Sequence, residues 1–202
     1  MLCNTAEIRH VIDGFLTLHD FRTIYLADLN AIVDNETLHE NLIDTLLSEY
    51  PHVTFWIDAG FDITSKKYYD APNFIPVLGS ESINDESNLL PAKRVKDFVL
   101  SLDFSTQGEL GPKRLFERSD YWPQRVAIMT LAHVGSDLGP DFEKLKHYRT
   151  AFPDRDIIAA GGVRNKQDLL ELKNIGIGYT LIASALHAGQ LTAQDIDELE
   201  SD

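Results

Sequence analysis

Residues 156–196, DIIAAGGVRNKQDLLELKNIGIGYTLIASALHAGQLTAQDI, decide the fold class. The first apolar run, residues 157–160, is short and rich in β-branched side chains, which predicts a strand buried on both faces. A glycine turn, a helix, a second apolar run at 179–183 and a small-residue turn follow in that order. Such a succession is typical of parallel βα units.

Two positions in this stretch predict the starts of helices. Asn165 suits an N-cap, because its side-chain oxygen can accept from free backbone N–H groups, and Asp168 then lies in the first turn. Thr192 and Asp195 have the spacing of a capping box, which predicts that the last helix begins there.

The two strand-end turns are candidates for a phosphate site. Gly161 and Gly162 let backbone N–H groups approach a ligand without obstruction by a Cβ atom. A second turn of small residues, 184–189, follows the other strand. Parallel strands that both end in exposed amides form a cradle for an anion, so the pattern predicts phosphate binding here.

Further apolar runs precede this stretch and recur at about the spacing of one βα unit. They are residues 23–29, 53–57, 74–78, 97–102 and 125–130. Residues 5–19 carry apolar positions at helical spacing and predict an N-terminal helix. Gly, Ser, Thr and Asp gather at the strand ends and no GxGxxG follows the first strand, which favours a TIM (β/α)8-type barrel over a doubly wound sheet.

Composition bounds the class of protein. We expect residues 1–202 to form a single domain, because 44% hydrophobic content suffices for a sizeable core. The net charge of −14 disfavours nucleic acid and anionic membranes as partners. One cysteine, Cys3, and the lack of a long apolar run predict a cytoplasmic protein without disulfides. No motif predicts a metal site.

Five motifs resemble those of the HisA/HisF family of histidine-biosynthesis barrels, nearer to the HisA isomerase branch. They are YLADLNAI (25–32), VLGSE (77–81), LSLD (100–103), AAGGVRN (159–165) and LIASALHAGQLTAQDI (181–196). The last two together are the most specific. The resemblance runs from about Ile24 to the C-terminus, and it implies an Amadori rearrangement of an aminoaldose ribotide to an aminoketose without a cofactor.

The resemblance also implies site residues. The family substrate is a phosphorylated small molecule with two phosphates. By their motifs, one phosphate would be held by Gly161, Gly162, Ala183 and Ser184. The other would be held by Gly60, Gly79 and Ser80. Asp103, in the matched SLD motif, would be the general acid. Thr130 and Asp28 match further strand-end residues and complete the predicted catalytic group.

The chain also departs from the family. The family's first strand carries the aspartate used as base, whereas this chain begins with a helix. We therefore expect seven βα units, with the base lost or replaced by Asp28 or Asp58. The incomplete barrel would leave an open edge, which predicts a homo-oligomer. DAGFD at 58–62 replaces a glycine-rich GGGIR, and Ala183-Ser184 replaces Gly-Arg.

Three functions stay open. The first is a ribotide isomerase of histidine-biosynthesis type. The second is a divergent member that acts on another phosphosugar-derived substrate in a different pathway, and the third is a non-catalytic phosphate-ligand-binding remnant. Asp103 and Asp28 also fit an alternative in which they cap strand-end turns. Tyr25 is interpreted as a core residue.

Overall fold

The structure is a computed structural model, and it describes Leu2 and residues 6–33, 39–60, 70–85, 87, 89 and 97–201. Cys3 lies outside these residues. The sequence also predicts a helix N-cap at Asn35, a weakly marked helix after the strand at 53–57 and a helix interrupted near Pro91, and these predictions fall on residues outside the described ranges.

The chain forms two compact units. The central unit is Arg22–Ala127, and the terminal unit combines Met1–Phe21 with Ile128–Asp202. Each unit has strands and helices of its own. The expectation of a single domain over residues 1–202 stays a prediction.

Parallel strands form the core of the central unit. They are β1 (Thr23–Ala27), β2 (Thr54–Asp58), β3 (Phe74–Gly79) and β4 (Val99–Ser105), each paired in parallel with the next. Strands β2 to β4 are almost fully buried, as their continuous apolar runs predict, whereas β1 is half exposed along its length.

Among the described residues, the helices of the central unit are α2 (Leu29–Val33), α3 (Glu40–Glu49) and α4 (Lys113–Glu117). The short helix α2 was not predicted. It begins after Asp28, whose Oδ1 accepts a hydrogen bond from the Ala31 backbone N–H at 3.3 Å.

A hairpin that the sequence did not predict extends β4. Strand β5 (Gly108–Leu110) pairs antiparallel with the end of β4, in a polar stretch for which the sequence predicts no strand. Gly111 follows with a φ of +129°, and a Cβ atom there would clash with the carbonyl oxygen of Ser80. The bare backbone of glycine thus lets the hairpin pack directly on Ser80.

Strand β6 (Arg125–Thr130) carries the chain from the central into the terminal unit. There β7 (Asp156–Ala160) pairs in parallel with β8 (Tyr179–Leu181). The helices are α1 (Ile8–Leu18), α5 (Phe142–Ala151), α6 (Lys166–Asn174), α7 (Ser184–His187) and α8 (Ala193–Ser201).

Both helix starts predicted in this unit are confirmed. Asn165 Oδ1 accepts from the Asp168 N–H at 3.1 Å. Thr192 and Asp195 form the reciprocal pair of a capping box, at 3.0 and 3.2 Å.

The strands follow one another in the sheet in chain order, β1-β2-β3-β4-β6-β7-β8. Chain order with parallel neighbours is what successive βα units produce. The predicted α/β class of TIM-barrel type is therefore confirmed. Association through an open edge stays a prediction.

Candidate active site

Two aspartates stand at the carboxyl ends of strands in the central unit. Asp58 is the last residue of β2 and Asp103 lies in β4, and β3 pairs with both strands. Strand β3 ends at Gly79, where a Cβ atom would lie 3.3 Å from Asp103 Oδ2 and 3.9 Å from Asp58 Oδ2. The two carboxyl groups therefore face the same point. Both are buried, with 7% and 5% of their surface exposed.

Two hydroxyl groups fix the side chain of Asp103. Ser101 Oγ donates to Oδ1 at 2.7 Å, and Ser80 Oγ donates to Oδ2 at 3.1 Å. The Ser80 hydroxyl in turn accepts from the Asp103 backbone N–H at 2.9 Å. Ser101 precedes Asp103 by two residues in the strand, which puts both on one face. The two-residue repeat of side chains along a strand is therefore the sequence signal that identifies Ser101 as a neighbour of Asp103.

Asp58 has different partners. The Tyr25 hydroxyl donates to Asp58 Oδ2 at 3.2 Å, and the Gly60 backbone N–H also donates to this carboxylate. Tyr25 comes from β1, which pairs with β2 so that Ala27 lies opposite Asp58. The interpretation of Tyr25 as a core residue missed this hydrogen bond, because only the pairing of β1 with β2 brings the hydroxyl to Asp58.

The pKa values of this cluster are strongly perturbed. Burial raises the pKa of Asp58 to about 7, and the charge of Asp103 adds to the rise. Burial likewise raises the pKa of Asp103 to about 6, although the hydrogen bond from Ser101 opposes it. Burial and the neighbouring Asp58 hold the pKa of Tyr25 well above its usual range. The carboxyl pair therefore exchanges its protons near neutral pH.

This arrangement is suited to moving protons. A protonated and an ionised carboxyl group that face one point are the two groups that general acid–base catalysis requires. A group that titrates near the working pH is also the most effective in that role.

Asp28 has structural partners instead. Its Oδ2 accepts from the His39 backbone N–H at 3.3 Å and lies 2.7 Å from His39 Nδ1, in addition to the bond from Ala31. Burial acts to raise the pKa of Asp28, but the hydrogen bonds from His39 and Ala31 outweigh it and hold that pKa below its usual value. The bond from Ala31 is that of a helix cap, and the contacts with His39 join Asp28 to the residue before α3. A catalytic role for Asp28 stays a prediction.

Thr130 ends β6 and is buried in the terminal unit. Its Oγ1 donates to Asp141 Oδ2 and accepts from Lys144 Nζ, both at 3.4 Å. Asp141 is the N-cap of α5. The hydroxyl of Thr130 thus joins the strand end to the start of the next helix, and its predicted catalytic role stays a prediction.

The glycines after β7 contact the chain itself. Gly161 and Gly162 have φ values of +98° and +83°. A Cβ atom on Gly162 would clash with the carbonyl oxygen of Gly139, and one on Gly161 would lie 3.0 Å from Val134 Cγ2. The loop after β6 therefore packs on these glycines, and this contact requires them.

The other turn of the predicted phosphate site is more accessible. Ala183 and Ser184 are exposed at the start of α7. Phosphate binding by the pair of turns stays a prediction.

The structure also bears on metals and membranes. Within the described ranges, no group of three or more His, Cys, Asp or Glu side chains is placed to hold a metal ion. Among these same residues, every helix is too short or too polar to span a lipid bilayer.

Fold and site together define the class: an α/β protein of barrel type with paired carboxyl groups at the carboxyl ends of its strands. Comparison with known families agrees with this class. The model of the family described as "Histidine biosynthesis protein" matches residues 14–192, and the chain belongs to that family.

Relatives of the chain include an uncharacterized protein and two isomerases. The chain is 28% identical over 184 residues to uncharacterized protein MJ0703 of Methanocaldococcus jannaschii, which covers 87% of this chain and 75% of that one. It is 25% identical to a 1-(5-phosphoribosyl)-5-((5-phosphoribosylamino)methylideneamino) imidazole-4-carboxamide isomerase of Oceanobacillus iheyensis, over 89% of this chain and 80% of the isomerase. The isomerase of the same name from Caldicellulosiruptor bescii is 36% identical over 76 residues, 38% of this chain and 32% of that protein.

A solved structure resembles the fold. The 3-hexulose-6-phosphate synthase of Salmonella typhimurium superimposes with a TM-score of 0.62, over 88% of this chain and 96% of that one, at 16% identity. At this identity the likeness shows the fold alone.

Proposed function

We propose that this protein is an isomerase that shifts a proton between neighbouring carbons of a phosphorylated sugar derivative, as ribotide isomerases do. Asp58 and Asp103 are the acid–base pair. The observation that carries the proposal is that both carboxyl groups face one point beside Gly79, with pKa values raised towards neutrality. The isomerase relatives support the reaction class.

The roles within the pair follow from their hydrogen bonds. Two side-chain hydroxyls donate to Asp103 and favour its ionised form, so Asp103 is the base. Asp58 has the higher pKa of the two and carries the proton, so Asp58 is the acid. This assignment is the reverse of the one that the sequence motif implied for Asp103.

The proton shift balances within the pair. Asp58 gives its proton to the ring oxygen of the aminoaldose as the C1–O bond breaks, and the nitrogen lone pair forms the C1=N bond of an iminium ion. Asp103 then removes the C2 proton. The electron pair of the C2–H bond forms the C1=C2 bond of an enaminol, and the π electrons of the C1=N bond return to the nitrogen. The enaminol tautomerises to the aminoketose. The pair ends with one proton, as it began.

Steady-state assay of the purified chain with a panel of phosphosugars that includes the histidine-pathway ribotide tests this proposal. On the substrate that the wild type turns over, we expect loss of most of the activity in Asp58→Asn and Asp103→Asn. Asp44→Asn is the matched control, since Asp44 is exposed on α3 and the change in net charge is the same. Full activity in either site variant would contradict the assignment.

A divergent substrate is the second candidate. It is favoured by the use of the Gly60 N–H and the Ser80 hydroxyl as donors to the two aspartates, since the family resemblance assigns both to phosphate binding. A panel of phosphosugars assayed in parallel separates the candidates, because only the first requires turnover of the ribotide. The absence of turnover across the whole panel would leave the non-catalytic alternative.

Phosphate binding in the terminal unit is a separate part of the proposal. Gly161, Gly162, Ala183 and Ser184 are proposed to hold a phosphate group through backbone amides. We expect inorganic phosphate to raise the melting temperature of the wild type and not of Ser184→Asp. The exposed position of Ser184 makes that variant compatible with the fold.

A further inference from the structure

We infer that the strand-end site beside Gly79 takes a neutral or cationic group of the substrate and rejects a phosphate. The proposal rests on the proposed function for the reaction, and it adds a substrate class. The substrate carries no phosphate on the side that contacts Asp58 and Asp103, unlike the two-phosphate substrate of the family.

The hydrogen-bond donors near Gly79 already have partners within the protein. The family resemblance assigned a phosphate to Gly60, Gly79 and Ser80. In the structure, the Gly60 N–H donates to Asp58, and the Ser80 hydroxyl donates to Asp103. The Ser80 hydroxyl has a single proton, which this bond uses. The protein's own carboxylates thus occupy donors that a phosphate would need.

The described side chains near Gly79 are acidic. Asp58 and Asp103 face the point beside Gly79, and the Glu81 side chain has its Cγ 3.7 Å from the same point. Within the part of the chain that the structure describes, no lysine, arginine or histidine donates to Asp58 or Asp103. Among the described residues, the side chains that a phosphate dianion would meet at this point are carboxylates, whereas a hydroxyl or an ammonium group can donate to them.

The absence of a side chain at Gly79 also matters to the site. The φ and ψ of Gly79 are −72° and 133°, which any residue adopts, so its backbone does not require glycine. A Cβ atom on Gly79 would instead crowd Asp103 Oδ2 at 3.3 Å, so the bare Cα keeps the approach to both carboxyl groups open. A reacting carbon that packs against this Cα comes near the acid and the base. The iminium charge that develops in an amino sugar is stabilised by the same carboxylates.

Calorimetric titration of the full chain with ribose 5-phosphate and ribose 1,5-bisphosphate tests the inference. At pH 8 we expect the monophosphate to bind at least about tenfold more tightly than the bisphosphate. The preference should shrink at pH 5.5, where both aspartates are largely protonated. Asp58→Asn should lower the ratio at pH 8, and the surface control Asp44→Asn should leave it unchanged.

A second variant adds a side chain at Gly79. Gly79→Ala places a methyl group 3.3 Å from Asp103 Oδ2, so it should weaken binding of the monophosphate by about tenfold or more while circular dichroism stays that of the wild type. Retention of wild-type affinity by Gly79→Ala would contradict the use of this space by the substrate.

The outcomes separate this inference from the proposed function. Equal or tighter binding of the bisphosphate, a ratio unchanged in Asp58→Asn, or failure of both probes to bind overturns the inference. If the chain turns over the two-phosphate ribotide and binds the bisphosphate tightly, the proposed isomerase function stands and the inference about the site is wrong. If the chain strongly prefers the monophosphate but turns over no phosphosugar, the inference about the site stands and the proposed isomerase function is wrong.

Discussion

The two units of the chain hold their buried aspartates in opposite ways. In the terminal unit, Asp168 is 3% exposed and binds the guanidinium of Arg164 at 2.7 and 2.9 Å. In the central unit, Asp58 is 7% exposed and its partners are uncharged donors. Burial acts to raise the pKa of both carboxyls, but the bonds from Arg164 hold the pKa of Asp168 below its usual value, whereas that of Asp58 reaches about 7.

Asp141, which is half-buried, and the buried Asp103 differ in the same way. Lys144 Nζ lies 2.6 Å from Asp141 Oδ2, and its bonds outweigh the effect of burial on the Asp141 pKa, which is lowered. Asp103 accepts from two serine hydroxyls, and its pKa is raised. Depth in the protein therefore does not decide the charge state of a carboxyl group. The partner decides it.

The largest expected effect is on catalysis. Asp103→Asn removes the base without changing the shape of the side chain, so we expect kcat to fall by about 10³-fold on a substrate that the wild type turns over. Asp141→Asn, which alters a cation-paired aspartate, should change kcat by less than about threefold. Steady-state kinetics at pH 6.5 compares the two. Equal losses would break the distinction between the units.

Next in size is the effect of pH on stability. The pKa of Asp58 is about 7 in the folded protein against a usual 3.8, so the folded state binds more protons than the unfolded state between these values. Stability from this group is therefore present at low pH and lost as pH rises towards 7. Asp58→Asn should be more stable than the wild type at pH 8, by on the order of 2 kcal/mol, and equal to it near pH 4.

Urea denaturation across this pH range measures that difference. The pH dependence of stability that comes from Asp168 has the opposite sign. Because folding lowers the pKa of Asp168, this carboxylate stabilises the folded state at pH values above its usual pKa, and that stability is lost as the pH falls through the lowered pKa. The contrast between Asp58 and Asp168 would be wrong if the stability of the wild type, relative to that of Asp58→Asn, did not decline between pH 4 and 8.

A smaller effect is expected when the cation-paired carboxylate is altered. Asp168→Asn weakens the charged hydrogen bonds from Arg164, so the free energy of unfolding should fall by about 1–2 kcal/mol at pH 7, where solvent at the partly exposed Arg164 limits the loss. Urea denaturation measures it, with the exposed Asp44→Asn as control. No loss in Asp168→Asn would mean that this ion pair does not stabilise the fold.

The smallest effects are expected in the pH profile of kcat/KM. Tyr25→Phe removes a hydrogen bond that lowers the Asp58 pKa, so the alkaline limb should move to higher pH by less than about one unit. Ser101→Ala removes a bond that lowers the Asp103 pKa, so the acidic limb should move to higher pH instead. The first variant widens the profile and the second narrows it. Shifts of the same limb in both would contradict the separate roles of the two carboxyls.

Several elements were predictable because their cause is local. Strand β6 has its predicted bounds, Arg125–Thr130, and the caps at Asn165 and Thr192 form as their spacing predicts. The hairpin strand β5 was missed, since its pairing with β4 lies in a stretch with no strand-like apolar pattern. Helix α2 was missed for a similar reason: its start depends on Asp28 as a cap.

The candidate site was predictable in part. The SLD motif identified Asp103, and Asp58 was one of two candidates for the base, with Asp28. Neither pattern indicated that both would face Gly79, or that Tyr25 would donate to Asp58. These contacts join β1, β2, β3 and β4, and a strand's own residues do not specify which neighbour lies beside it.

The sequence by itself determined the succession of βα units, the family and the local caps, because periodicity, turn residues and motifs act over a few residues of chain. Only the tertiary structure decided the chemistry of the strand ends. It left Asp58 and Asp103 with uncharged hydrogen-bond donors in a buried site and gave Asp141 and Asp168 a cation each. The pKa of a carboxyl group depends on the charges and water around it, and those are set by packing.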